Sequence, residues 1–204
     1  MSAVERVHGR TTVAPTAMVS PGASIGDRSV VWDLTQVREG AIIGPDTVIG
    51  RNVYIDHDVR IGANCKIQNA SLLYWPAILG DGVFIGPGAI LTNDRHPRAV
   101  KPDGTPKGPD DWLAAGVTID SGAAIGAGAV LVGGVNIGAW ALVGAGAVVT
   151  GDVPSHALVV GNPATRVGWV GKAGRRLVED EDGFVDPGTG DRYRLLDGVM
   201  EEAR

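Results

Sequence analysis

The chain has 204 residues, of which 44 % are apolar and 20 % charged, with a net charge of −5. That suits one globular domain, or one domain with a small appendage. The basic residues are dispersed on an acidic background, which argues against a nucleic-acid partner, and no apolar run reaches the length of a membrane span. The N-terminal stretch lacks an apolar core of signal-peptide length, so a cytoplasmic protein with no membrane partner is expected. One cysteine, Cys65, leaves no internal disulfide and no multi-cysteine zinc site. Glycine, at 31 of 204 residues, is about twice as common as usual.

An internal repeat explains the glycine. Aliphatic residues stand at Val13, Val19, Ile25, Val31, Val37, Ile43, Ile49, Ile55, Ile61, Ile67, Leu73, Leu79, Ile85 and Leu91, fourteen positions at an unbroken spacing of six. A second run comprises Leu113, Ile119, Ile125, Leu131, Ile137, Val143 and Val149. Two residues before most of these stands a small or β-branched residue, such as Ala23, Ser29, Thr47, Val53, Cys65 or Ala89. A six-residue unit is too short for a helical repeat but can hold a short strand and a tight corner. The aliphatic and the small residue then both point inward, and Cys65 is expected to be filler rather than a nucleophile. Glycines one residue after the aliphatic position (Gly26, Gly44, Gly62, Gly80) are expected to supply the backbone angles of the corners.

Between the two runs lies "TNDRHPRAVKPDGTPKGPDD", residues 92–111, with four prolines. Leu91 and Ile119 are 28 residues apart, which is not a multiple of six, so this segment is an insertion. It is expected to be a functional loop over about 92–112, ending before Leu113 resumes the repeat.

These hexads resemble the hexapeptide repeats of the left-handed parallel β-helix acyltransferases over about residues 13–165. The resemblance implies an all-β fold, a left-handed parallel β-helix with one long inserted loop and a small C-terminal appendage. Residues 1–169 would form the helix domain and residues 170–204 the appendage. It also implies eighteen residues per three-faced coil, so that residues eighteen apart stack in columns. One column is Gly26, Gly44, Gly62 and Gly80; a second is Ala14, Trp32, Gly50, Gln68 and Gly86. The third, Ser20, Arg38, Asp56, Tyr74 and Thr92, has no glycine. Beside it run Pro21, Glu39, His57, Trp75 and Asn93, so one edge carries a polar stripe that ends at the insertion. Such segregation fits a site or a subunit interface.

Four stretches, "VWDLTQVREGAIIG" (31–44), "KIQNASLLY" (66–74), "ILTNDRHPRA" (90–99) and "VPSHALVVGNPATRVGWVGKAGRRL" (153–177), are similar in content and order to nucleotide-amino-sugar 3-N-acetyltransferases. Ala70 and the "YWP" at residues 74–76 depart from that subgroup, which leaves the sugar open. The resemblance implies an acetyl-CoA-dependent N-acetyltransferase acting on the 3-amino group of a UDP- or dTDP-linked sugar, as a homotrimer with active sites between subunits. A sugar amine beside electron-withdrawing substituents titrates nearer an α-amino group, at roughly 8, than a lysine, so a strong general base is not obligatory. Positioning then supplies much of the rate.

Asn93, within the "TN" element, is the expected residue to hold the amine or polarise the carbonyl, with Asp94, His96 and His57 as further catalytic candidates. Arg38, Asp56, Gln68, Asn69 and Tyr74 would bind the nucleotide sugar, the arginine through a diphosphate or carboxylate. Coenzyme A would lie along the later coils, past Ala127 and Ala145, towards Asn162, Pro163 and Arg166. His156 would sit at that cofactor rim or be exposed. The C-terminal tail resembles one that carries a cysteine-rich knuckle in some relatives. Gly171, Ala173, Asp186 and Thr189 stand where the cysteines would be, so no metal is expected there. O-acetylation of a sugar or small alcohol is the alternative activity, and a non-catalytic scaffold a weaker one. A hydratase of the γ-carbonic-anhydrase type would need three converging histidines, and His8, His57, His96 and His156 lack that spacing.

Overall fold

The structure is a computed structural model and describes residues 11–196 and 198–203; His8 lies outside them. Two-residue strands recur every six residues and pair, in parallel, with strands eighteen residues away: Thr12↔Val30, Met18↔Gln36 and Ser24↔Ile42 open the three ladders. The ladders form sheets of nine, seven and six strands. They are the three faces of the coil expected for the left-handed β-helix. The first face starts at Thr12–Val13, the second at Met18–Val19 and the third at Ser24–Ile25.

The core is a column, one aliphatic residue and one small residue per face. Ile43, Ile49, Ile55, Ile67, Leu73, Ile85 and Leu91 are fully or almost fully buried, as are the small partners Ala41, Val53, Cys65, Ala77 and Ala89. Cys65 is thus filler, and burial pushes its thiol pKa up, away from nucleophilic duty. The buried hydroxyls are all committed. Thr47 Oγ1 donates to Gly62 O at 3.1 Å and accepts from Cys65 N at 3.0 Å. Ser29 makes the equivalent pair with Gly44 O and Thr47 N, at 2.9 and 3.0 Å. Polar residues therefore enter this core without an unsatisfied group.

The glycines at the corners work differently from the sequence expectation. Positive φ falls three residues after the aliphatic position, at Gly22, Arg28, Leu34, Gly40, Asp46, Asn52 and Asp58. The column Gly26, Gly44, Gly62, Gly80 has no positive φ; there a Cβ would lie 2.4 to 2.8 Å from backbone atoms of the next coil. Those glycines are needed for close approach, not for their torsion angles.

The insertion also runs further than expected. Leu113 is 91 % exposed and belongs to no strand, and the repeat resumes at Thr118–Ile119. Strand partners across the gap, Phe84↔Ala124, are 40 residues apart instead of eighteen, so 22 residues are inserted without a change of register.

After the last coil, Ala157–Gly161 pairs in parallel with Leu142–Val143, and Ala164–Trp169 turns back antiparallel. Val178–Asp180, Gly183–Val185, Arg192–Leu196 and Val199–Glu202 form an antiparallel four-stranded sheet. Its Tyr193 and Met200 join Trp169 and Leu177 in the main hydrophobic cluster. His156 is buried there, edge-on to Tyr193 with ring centroids 5.3 Å apart and Nδ1 2.9 Å from Val170 O. It is therefore a packing residue and not an exposed one. Gly171, Asp186 and Thr189 do come together. Asp186 Oδ1 accepts from the Gly188 and Thr189 amides, and a Cβ on Gly171 would lie 2.7 Å from Asp186 Oδ2. That second oxygen is buried without a hydrogen-bond partner among the described residues.

Candidate active site

The polar stripe occupies the edge between the second and third faces and is organised around Asp56. This carboxylate is only 7 % exposed. Its Oδ1 accepts from Tyr54 Oη at 2.9 Å, His57 N at 2.9 Å and Arg38 Nη1 at 3.1 Å, and its Oδ2 accepts from Trp75 N at 3.2 Å. Burial disfavours the charged form, but the two backbone amides and the Tyr54 hydroxyl outweigh it, and the Asp56 pKa lies below the ordinary carboxylate range. The Tyr54 pKa is raised, chiefly by burial.

Arg38 was expected to bind a diphosphate or a carboxylate, but its guanidinium is already engaged. Nη1 pairs with Asp56, while Nε and Nη2 donate to Glu39 at 3.3 and 2.5 Å. With two carboxylates on one guanidinium, little positive charge remains for an anion. The Tyr54 hydroxyl and Glu39 both raise its pKa, so the charge itself is permanent.

Above Asp56, the rings of His57 and Trp75 stack 5.1 Å apart, and Tyr54 and Tyr74 meet at 5.4 Å. His57 Nδ1 lies 3.0 Å from Asp58 Oδ2. Donation of Nδ1–H to that carboxylate selects the tautomer whose Nε2 carries a lone pair. Asn93 closes the column: its Nδ2 donates to Trp75 O at 2.7 Å, and its backbone oxygen accepts from Ala115 N at 2.8 Å. Its Oδ1 makes no hydrogen bond among the described residues. Thr92 Oγ1 anchors the exit from the coil, donating to Leu131 O and accepting from Gly133 N. The returning limb threads closely past it, since a Cβ on Gly133 would lie 2.6 Å from Ala115 O.

Asp94 and His96 are held together by a turn, with His96 N donating to Asp94 Oδ1 at 2.8 Å, and His96 is exposed. Gln68 and Asn69 do not share this edge. They sit at the corner between the first and second faces, where Asn69 Oδ1 accepts from Arg51 N at 2.8 Å. Ala127 and Ala145 stack on that same first edge, where side chains are small, and the turn at Asn162–Pro163 continues it. Arg166 stacks 4.3 Å above the Trp169 ring on the antiparallel return. Within one chain, the expected cofactor line and the polar stripe thus border opposite sides of the second face.

Tyr54 is absent from the sequence-derived set although it reads directly onto Asp56. The available signal was an aromatic residue two positions before a corner acid, on the outward face of a strand. Among the described residues no group of three or more His, Cys, Asp or Glu side chains could hold a metal ion. No helix among them is long and apolar enough to cross a membrane.

The repeat and its corners define a hexapeptide-repeat protein, and the comparisons give the class. The family described as bacterial transferase hexapeptide (six repeats) matches residues 40–73, and that described as hexapeptide repeat of succinyl-transferase matches residues 116–151. A serine acetyltransferase of Bacillus pumilus is 30 % identical over 184 residues, covering 86 % of this chain and 69 % of its own length. The bifunctional protein GlmU of Paenarthrobacter aurescens is 31 % identical over 205 residues; the alignment covers 85 % of this chain but only 37 % of that protein. In fold, the chain is similar to a variant of AntD, an N-acyltransferase from Bacillus cereus solved with dTDP and coenzyme A. The TM-score is 0.50 at 17 % identity, over 80 % of this chain and 82 % of that one. The chain belongs to the hexapeptide-repeat acyltransferases.

Proposed function

We propose that this chain transfers an acetyl group from acetyl-CoA to the 3-amino group of a UDP- or dTDP-linked sugar. The observation that carries the reading is the geometry of Asn93. Its amide is fixed through Nδ2 to Trp75 O at 2.7 Å, which leaves Oδ1 to accept an N–H of the incoming amine. The neutral amine attacks the thioester carbonyl carbon, the tetrahedral intermediate collapses with loss of the C–S bond, and the coenzyme A sulfur takes the proton that the nitrogen gives up. Orientation by Asn93 and the aromatic wall of Tyr74 and Trp75 supplies the proximity term. Asp56 keeps that wall in place.

Coenzyme A lies along the first edge, past Ala127 and Ala145 to Asn162 and Pro163. That edge and the Asn93 edge flank opposite sides of one face, so a working site joins the cofactor edge of one copy to the acceptor edge of another. A homotrimer meets this requirement, with Gln68 and Asn69 entering the site from the neighbouring copy. Light scattering tests it; a monomer that turns over would remove the shared-site arrangement.

A second reading is favoured by one observation, the His57–Asp58 contact of 3.0 Å. A carboxylate-oriented histidine is what deprotonation of an alcohol needs, and the Bacillus pumilus relative is a serine acetyltransferase. A thiol-release assay with acetyl-CoA against UDP- and dTDP-linked 3-amino sugars, and against serine and sugar alcohols, separates the two. The amine reading expects turnover with a 3-amino sugar, a loss in kcat of about a hundredfold in Asn93→Ala, and a milder loss in His57→Ala. Turnover with alcohols alone, abolished by His57→Ala, refutes it.

A further inference from the structure

The insertion builds a second structure of its own. Its limbs pair through Lys107 N to Ala99 O at 3.1 Å, Lys101 N to Thr105 O at 2.8 Å and a bridge between Val100 and Pro106. An ion pair, Lys101 Nζ to Asp111 Oδ1 at 2.8 Å, ties this small hairpin to the returning chain. The pairing of residue 99 with residue 107 brings Arg98 and Lys107 onto facing limbs, with Arg98 Nη1 donating to Pro97 O at 2.7 Å. Together with Asp94, Ala99 and Trp112 they line an open cleft of about 300 Å³, at the lower end of the size of small-molecule sites. Lys101 has its carboxylate, but Arg98 and Lys107 form no ion pair among the described residues. The contrast with Arg38, which is shared between Glu39 and Asp56, is direct.

We infer that this cleft binds the nucleoside diphosphate portion of the substrate. Arg98 and Lys107 face the diphosphate, which carries an ionised oxygen on each phosphorus. The Trp112 ring offers a stacking surface for the base. Asp94 Oδ1 is held by His96 N at 2.8 Å, and its other oxygen is available to a ribose hydroxyl. A carboxylate beside two cations also disfavours a bare phosphate relative to a ligand that brings hydroxyl donors. Because Asp94 directly follows Asn93, a nucleotide seated here presents its sugar to the Asn93 column. The inference rests on the nucleotide-sugar reading above and assigns the part of the substrate that Arg38 cannot serve. Coenzyme A also carries a diphosphate, and the test distinguishes the two sources.

The full-length protein is titrated with UDP, with dTDP and, separately, with coenzyme A, following tryptophan fluorescence in the parent and in Trp112→Phe. The expected result is a change with UDP or dTDP that disappears in Trp112→Phe. In Arg98→Gln/Lys107→Gln, whose fold is checked by circular dichroism, the Kd should rise at least about tenfold. Should the double variant misfold, the single variants Arg98→Gln and Lys107→Gln are each expected to weaken binding. An unchanged Kd, or a Trp112 signal that follows coenzyme A instead, overturns the inference. Turnover separates its failure from that of the function. Intact turnover with an unchanged KM in the double variant removes the cleft alone. Nucleotide binding at Trp112 without turnover of any 3-amino sugar removes the proposed reaction and leaves the cleft.

Discussion

Truncating Asp56 to alanine removes the acceptor of four hydrogen bonds at a site that is 7 % exposed. Arg38 keeps Glu39 as a partner, so its charge is not orphaned. The amides of His57 and Trp75 and the hydroxyl of Tyr54 are left with at most a water in the vacated space. A stranded buried donor costs about 1–3 kcal/mol, while losing the pair with the partly exposed Arg38 adds little. With water recovering part of the loss, Asp56→Ala should lose about 3–5 kcal/mol. At about 2–4 °C per kcal/mol for a chain of this size, the melting temperature falls by roughly 6–20 °C. The measurement is urea unfolding by circular dichroism at fixed protomer concentration, since any oligomer makes stability concentration-dependent. The Asp56 pKa is depressed in the folded state, so its contribution is complete above about 3.9 and lost as pH falls through the folded value. The gap between the parent and Asp56→Asn should therefore close in acid. A loss in Asp56→Ala below about 1 kcal/mol would refute the view that this carboxylate organises the edge.

Four further expectations follow from the fold. Burial lowers the His156 pKa, so the unfolded chain binds more protons and stability falls as pH drops below about 6.5; His156→Asn, which tolerates the φ of 61° there, should flatten that part of the pH–stability curve. Thr47→Val keeps the shape of the side chain but strands Cys65 N and Gly62 O, and should cost about 1–3 kcal/mol in urea unfolding, with a neutral result excluding the hydroxyl ladder as a source of stability. Gly62→Ala places a methyl 2.6 Å from Gly80 C and should cost about 1–3 kcal/mol. At Gly104 nothing lies within 4 Å, so Gly104→Ala incurs only the cost of its φ of +83° and should leave the packing of the coil intact.

The fold was legible because each face of the coil demands one inward aliphatic residue at a fixed interval, a signal that survives any choice of surface residue. What the period could not convey was why a glycine stands where it does. Gly26 and Gly22 look alike in a sequence, yet one avoids a clash with the neighbouring coil and the other supports a positive φ. Leu113 satisfied the aliphatic pattern at a position that proves exposed, because the register of an insertion is set by where strands pair again and not by local composition. The stripe around Asp56, His57, Trp75 and Asn93 could be located from residues eighteen apart, whereas Tyr54 and the engagement of Arg38 depend on side-chain directions. Gln68 and Asn69 are expected to bind the nucleotide sugar together with Arg38, Asp56 and Tyr74, although their coil position places them on the next edge. The burial of His156 depends on Tyr193, a contact from the C-terminal sheet that no repeat anticipates.

The insertion enters and leaves between Leu91 and Thr118 while Phe84 and Ala124 pair as though nothing intervened. The coil is thus blind to the length of what hangs from it, since doubling a flexible loop costs only about 0.6 kcal/mol in closure entropy. If the Arg98–Lys107–Trp112 cleft receives the nucleotide as proposed, rigidity and substrate choice are carried by separate stretches of one chain. The loop can be lengthened or redrawn while the stack of coils beneath it keeps the side chains of the Asp56 edge in the same places.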